Sequence, residues 1–230
     1  MIKQITDVAD LRGLPPHGTE AQKIRSLYNA YGAGYDFCRF YRAESCYISV
    51  LDNSAVVCGE CVDTEELRGF LLMCGVSDVF CEARLADNFC PPFSRSDVNL
   101  MRFCGENSTE ISHSVPTLSE AFEILKTAFS IDFEPWYLDM SHRIRHGVSS
   151  LAANGASCLC VQYDLNGEAL LSQIATLPEH RGKGSAKRLI NSVCASLPNR
   201  EIFVLCEDGL LDFYKKIGFS FVERKAVLLR

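Results

Sequence analysis

The stretch richest in chemistry runs from Leu170 to Leu197, LLSQIATLPEHRGKGSAKRLINSVCASL. An apolar strand-like run leads into Arg181-Gly182-Lys183-Gly184-Ser185, and an amphipathic helical pattern starts inside that loop. Two glycines let several backbone N–H groups turn toward one point, and a helix N-terminus behind them adds its positive dipole end. Two cationic side chains in the same loop suit a phosphate or pyrophosphate. Spacing narrows the kind. A Walker loop needs Gly, four residues, then Gly-Lys-Ser/Thr, and here Lys183 precedes Gly184. A dinucleotide fingerprint needs a third glycine where this chain has Lys187. Both patterns fail.

What remains is Arg181-x-x-Gly184-x-Ala186, preceded by Thr176-Leu177-Pro178-Glu179-His180. It resembles the R/Q-x-x-G-x-G/A coenzyme A loop of the GNAT acetyltransferase superfamily. A second stretch, Asp212-Phe-Tyr-Lys-Lys-Ile-Gly-Phe219, resembles that family's F-Y-x-K-x-G-F helix end, in the right order along the chain. By itself it is an amphipathic helix closed by a glycine; with the loop upstream it is a signature. The resemblance covers about residues 116–230.

The elements that must position these residues can be read from periodicity. Thr117 and Glu120 cap a helix through Leu118, Ala121, Phe122, Leu125 and Phe129, and Pro135 opens another through Tyr137, Met140 and Ile144. Asn154-Gly155 and Asn166-Gly167 predict a three-stranded meander over 148–153, 157–165 and 168–177. Leu159, Val161, Tyr163 and Leu165 would share one face of its middle strand. The helix after the loop uses Ala186, Leu189, Ile190, Val193, Cys194 and Leu197. A strand over 202–206, a helix over 210–217 ended by Gly218, and two strands at 219–222 and 226–229 complete the order ααβββαβαββ. That is the order of a GNAT fold: α/β (α+β), with a mixed, mostly antiparallel sheet flanked by helices.

Upstream, a helix over Thr19–Tyr31, strands at 37–41, 46–50 and 55–58, an Asp63/Glu66-capped helix closed by Gly75, and a strand at 76–81 form a smaller α+β region. A last strand is placed at 100–104. Polar residues 105–109 put the domain boundary near 105–116, giving domains 1–115 and 116–230. Strand, strand, capped helix, strand over 46–81 echoes the second half without a glycine loop. It is readable as a degenerate GNAT-like half, as in tandem members, or as an unrelated α+β domain.

Composition bounds the alternatives. Hydrophobic residues make up 47% and charged residues 23% of the 230, the profile of a soluble globular protein. The net charge of −6 sits in residues 1–115, with 10 Lys and Arg against 16 Asp and Glu, while 116–230 balance at 13 each. An acidic chain without a basic stripe argues against nucleic acid as the main partner. No run approaches the ~18 apolar residues of a membrane span, and MIKQITDVADLRG lacks an export signal, so a cytoplasmic protein off the membrane is expected. The twelve cysteines then read as free thiols. Cys58-Gly-Glu-Cys61 with Cys74, Cys81 and Cys90 lacks a second C-x-x-C pair, so no metal site is expected.

The resemblance implies an acetyl-CoA-dependent N-acetyltransferase acting on a primary amine of a small molecule or peptide. Backbone groups of Ile174, Ala175 and Thr176 would meet the pantetheine arm, and Arg181, Gly182, Lys183, Gly184, Ser185, Ala186 and Lys187 the pyrophosphate. Tyr214 matches the family tyrosine that protonates the leaving thiolate. Glu207 stands where many members carry a pantetheine-binding asparagine. Ser172 and Gln173 replace the glutamate that some members use as base, leaving the base open among Glu134, Asp139, His142, Glu168, Glu207 and a water chain that needs no dedicated residue. A non-catalytic acyl-CoA-binding module is the alternative. Neither the acceptor nor the oligomeric state follows from the sequence.

Overall fold

The computed structural model describes residues 1–61, 63–105 and 111–230. These divide into two compact units, Met1–Leu100 with Glu223–Arg230, and Met101–Val222. The division differs from the 115/116 boundary read from composition. Two long strands explain it: β6 (Ser94–Phe103) and β11 (Phe219–Leu229) each start in one unit and end in the other. A polar segment marks where a chain is exposed, and a strand can change partners without any polar segment.

In the first unit, α1 (Thr19–Tyr31) keeps its expected bounds. Strands β1 (Lys3–Gln4), β2 (Cys38–Ala43), β3 (Cys46–Leu51) and β4 (Ser54–Cys58) pair antiparallel in sequence order. Helix α2 (Thr64–Met73) starts on Asp63, whose carboxylate accepts the Glu66 N–H at 2.8 Å. It ends at Gly75 (φ +76°), where Gly75 N–H donates to Leu72 O and Val76 N–H to Leu71 O. Only glycine reaches that left-handed turn without strain. The crossover delivers β5 (Asp78–Glu82) parallel to β4, and Lys225–Leu229 of β11 pair with β5 on its other side. Leu67, Leu71, Ile48, Val57 and Val79 are fully buried in the core beneath α2.

The second unit begins with α3 (Leu118–Leu125), held by the expected capping box: Glu120 N–H donates to Thr117 Oγ1, and Thr117 N–H to Glu120 Oε2. Helix α4 (Phe133–Arg145) follows, then the meander β7 (Ser150–Ala153), β8 (Ser157–Leu165) and β9 (Glu168–Thr176). Helix α5 (Ser185–Ser196) crosses to β10 (Glu201–Cys206), parallel to β9, and α6 (Leu211–Lys216) leads into β11. The β3–β4–α2–β5 order and pairing of the first unit thus repeats in β8–β9–α5–β10. The chain is mixed α/β, its second half has the element order expected from the sequence, and one stretch of its first half shares that order and pairing.

Three element expectations also changed. The strand placed at 100–104 is the longer β6, Ser94–Phe103. The strands expected at 219–222 and 226–229 are one strand, because Glu223-Arg224-Lys225 is extended. The run Leu159, Val161, Tyr163, Leu165 is interrupted by a register shift between Val161 and Tyr163.

Candidate active site

The third strand of the meander does not stay regular. Cys160 pairs with Ser172 and Cys158 with Ala175, so β9 spends three residues where β8 spends two. The extra residue sits at Gln173, which has φ +48°. Such a bulge reverses the inside–outside alternation. Before it Ala169 and Leu171 pack with α5; after it Ile174 packs on that side and Ala175 turns to α3 and α4.

Beside the bulge the sheet stops pairing. The β9–β10 register ends at Leu171 opposite Val204, although both strands run on, to Thr176 and to Cys206. Ile174, Ala175 and Thr176 therefore face a neighbour strand to which they are not bonded. Backbone polar groups of this kind need a partner from elsewhere.

Leu177–His180 carry the chain to the glycine loop. Gly182 (φ +74°) and Gly184 (φ +73°) are both left-handed. A Cβ on Gly182 would meet nothing within 4 Å, and one on Gly184 only the Arg188 side chain at 3.5 Å. The loop is thus open on its outer side. Gly184 is the N-cap of α5 and contributes no side-chain cap. The leading N–H groups at Ser185, Ala186 and Lys187 have no intrahelical acceptor by position, and the helix dipole adds to them. Lys183 and Lys187 are exposed.

The two basic side chains expected to bear on a phosphate differ in use. Arg181 turns back, its Nε donating to Thr176 O and its Nη2 to Thr127 O, both at 3.1 Å. It straps the loop to the strand end. The bracing of the helix start comes from a residue that sequence reasoning treated only as a hairpin turn. Asn154 Oδ1 accepts from Ser157 N–H (2.9 Å), Ala156 N–H (3.3 Å) and Ser185 Oγ (3.1 Å), and its Nδ2 donates to Ser185 O (3.0 Å). Its only signal in the sequence is the polar residue itself. Replacing Asn154 with Ala removes these partners from a partly buried set and should cost about 1–3 kcal/mol. A fall in Tm together with weaker anion binding at the loop would show it; unchanged values of both would refute the brace.

Tyr214 lies on α6, 5% exposed, its ring edge-on to Phe213 and Phe219. Burial, with the Cys206 thiol nearby, pushes its phenol well above the ordinary tyrosine value. The Cys206 thiol is itself pushed up to about 11 by burial. Tyr214 belongs to the core cluster that also holds Cys206, at the end of β10, and against which Ile174 of β9 packs. Glu207 is exposed just past β10. Residues 174–176 thus lead through 177–180 into the loop 181–187, Tyr214 packs near Cys206 at the end of β10, and Glu207 is at the surface.

On the opposite face, a cavity of about 290 Å³ opens between α4 and the bulge, with Trp136, Asp139, Arg143, Ser149, Ser172 and Gln173 on its wall. Trp136 Nε1 donates to Gln173 Oε1 at 3.3 Å. Arg143 Nε lies 2.8 Å from both Asp139 oxygens. Of the other base candidates, Glu168 is buried at the start of β9, Glu134 is exposed, and His142 stacks on His146.

Among the described residues no group of three or more His, Cys, Asp or Glu is placed to hold a metal ion. No described helix is long and apolar enough to cross a membrane.

Residues 148–221 match the family model described as Acetyltransferase (GNAT) domain. No curated protein matches the chain. Among solved structures, the chain is similar to a GCN5-related N-acetyltransferase from Kribbella flavida, at 13% identity and TM-score 0.62, covering 91% of this chain and 93% of that one. One from Sphaerobacter thermophilus is 17% identical, TM-score 0.60, covering 100% and 95%. A tandem GNAT protein from the clavulanic acid biosynthesis pathway is 12% identical, TM-score 0.61, covering 100% and 98%. At these identities the likeness is one of fold.

Proposed function

We propose that this chain, whose second unit carries a GNAT domain, is an N-acetyltransferase that moves the acetyl group of acetyl-CoA to a primary amine of a small molecule or peptide. One observation carries the reading. An uncapped helix start with an open double-glycine loop follows directly on a bulged strand that has parted from its parallel neighbour.

The residues present fit the coenzyme. The open loop and the leading N–H groups of α5 suit a pyrophosphate, and the edge of 174–176 that is not paired with β10, where Arg181 takes the Thr176 carbonyl, suits an amide-bearing arm. When bound, acetyl-CoA supplies an acyl carbon activated by a thiolate leaving group. The balanced transfer forms a C–N bond and breaks a C–S bond: the neutral amine nitrogen loses one proton to solvent, the sulfur gains one, and the side chain that supplies it is reprotonated from solvent. A backbone N–H at the bulge would donate to the carbonyl oxygen as negative charge develops there. Tyr214, neutral throughout the physiological range, would give its proton to the departing sulfur. Holding the amine against the split supplies the orientation. Twelve free cysteines support a reducing, cytoplasmic setting.

Incubation with acetyl-CoA and an amine panel, followed by thiol release, tests the activity. Ser172 and Gln173, standing where some members have a glutamate base, favour the second reading, a non-catalytic acyl-CoA-binding module. Tight coenzyme binding with no turnover would favour it over the enzyme. Gly182→Glu separates binding at the loop from binding elsewhere. It places a carboxylate in the open cradle at a left-handed φ, and repulsion of this kind should weaken coenzyme affinity about 10- to 100-fold. An unchanged Kd, read by calorimetry, would remove the loop from the site.

A further inference from the structure

The cavity beside the bulge has a composition that selects among amines. Its volume of about 290 Å³ lies at the lower end of the roughly 300–1,000 Å³ typical of small-molecule pockets, so it fits one compact molecule or one residue. Among the described residues, its ionised wall groups are Arg143 and Asp139, one of each sign. Arg143 is 7% exposed, and its Nε meets both Asp139 oxygens at 2.8 Å. The remaining polar wall, Ser149, Gln162, Ser172 and Gln173, is neutral, and Trp136 offers an indole locked by its bond to Gln173.

The charge balance has a consequence. A simple cationic amine entering this cavity loses hydration and gains no net Coulomb attraction, because the guanidinium offsets the carboxylate. A molecule carrying both an ammonium and a carboxylate complements both wall charges at once, and guanidinium recognition of a carboxylate is the stronger, more directional half. The bulge fixes which end goes where. Ser172 and Gln173 sit on the cavity wall and Ile174 on the opposite face of the same strand, so the cavity abuts the split from the α4 side.

Resting on the acetyltransferase reading, we propose that the acceptor is a small zwitterion of amino-acid size, its carboxylate held by Arg143 and its amino group directed past Asp139 to the bulge at Ser172–Gln173. Arg143 is then the residue that sets acceptor specificity. Asp139 both orients that guanidinium and favours the amino end.

The test uses matched sets of three acceptors: an α-amino acid, its carboxamide and its decarboxylated amine. Coenzyme affinity is measured separately by calorimetry. The amino acid is expected to exceed both analogues in kcat/KM by about 10- to 100-fold, the worth of one charge-assisted contact. In Arg143→Gln the preference should collapse to within about threefold through a higher KM for the acid, with coenzyme Kd unchanged; Arg143→Lys should keep part of it. Turnover that favours the carboxamide or the amine overturns the proposal, as does turnover of none of the three with coenzyme bound. A preference unaltered in Arg143→Gln also overturns it. The wild-type comparison stands if the variants do not fold. Absence of coenzyme binding is a separate result, and it overturns the acetyltransferase reading beneath the proposal.

Discussion

Changing Tyr214 to Phe should lower kcat for acetyl transfer by about 10²–10⁴, the usual worth of a positioned general acid, while the coenzyme Kd stays within about twofold. The substitution removes one oxygen and keeps the ring that packs edge-on against Phe213 and Phe219. Stability should therefore move little. The phenol is held above the ordinary tyrosine range by burial and by the nearby Cys206 thiol, so it stays protonated well past pH 10. A donor that is active while protonated loses activity only above its own pKa. The wild-type kcat profile should accordingly show no falling limb from this group between pH 6 and about 10. A kcat unchanged in Tyr214→Phe, measured by thiol release, would take the proton-donor role from this residue.

How far this site can be read from sequence depends on whether a residue's type betrays its conformation. Gly182, Gly184 and Gly75 announce their left-handed turns because few other residues take them. Thr117/Glu120 and Asp63 announce helix starts because the capping oxygens must be there. Gln173 announces nothing: glutamine is ordinary in a strand, and its φ of +48° goes with the register shift opposite Cys158–Cys160, which is set by tertiary pairing. The parting of β9 from β10 is equally silent, although the bulge and the split together define the candidate site. Asn154 shows the same limit in milder form. Its place in an Asn-Gly pair marked a turn, whereas its four hydrogen-bonding roles reach Ser185, thirty-one residues on.

The run Glu223-Arg224-Lys225, which the sequence reading leaves between two strands, leads to the largest expected loss of stability. Three charges in a row resemble an exposed turn, yet Lys225 is 3% exposed within β11. Its Nζ lies 2.8 and 3.0 Å from the two oxygens of Glu20 and 2.9 Å from Glu223. Glu20 is 4% exposed at the start of α1, so the bond ties helix to strand within the first unit. Replacing Lys225 with Met strands the Glu20 carboxylate in the core and should cost about 3–5 kcal/mol in denaturant unfolding. The paired change Lys225→Met with Glu20→Leu removes both charges and should recover most of that loss, leaving Glu223, half exposed, to water. Two carboxylates on one ammonium hold the Lys225 pKa above its ordinary value. A raised lysine pKa stabilises fully below its unfolded value near 10.4 and loses that contribution as pH rises through the folded one. The wild type should therefore lose stability steeply on the alkaline side, and the double variant should lack that component. A single variant as stable as the wild type, or a double variant no better than the single, would mean that the pair is not what joins α1 to β11.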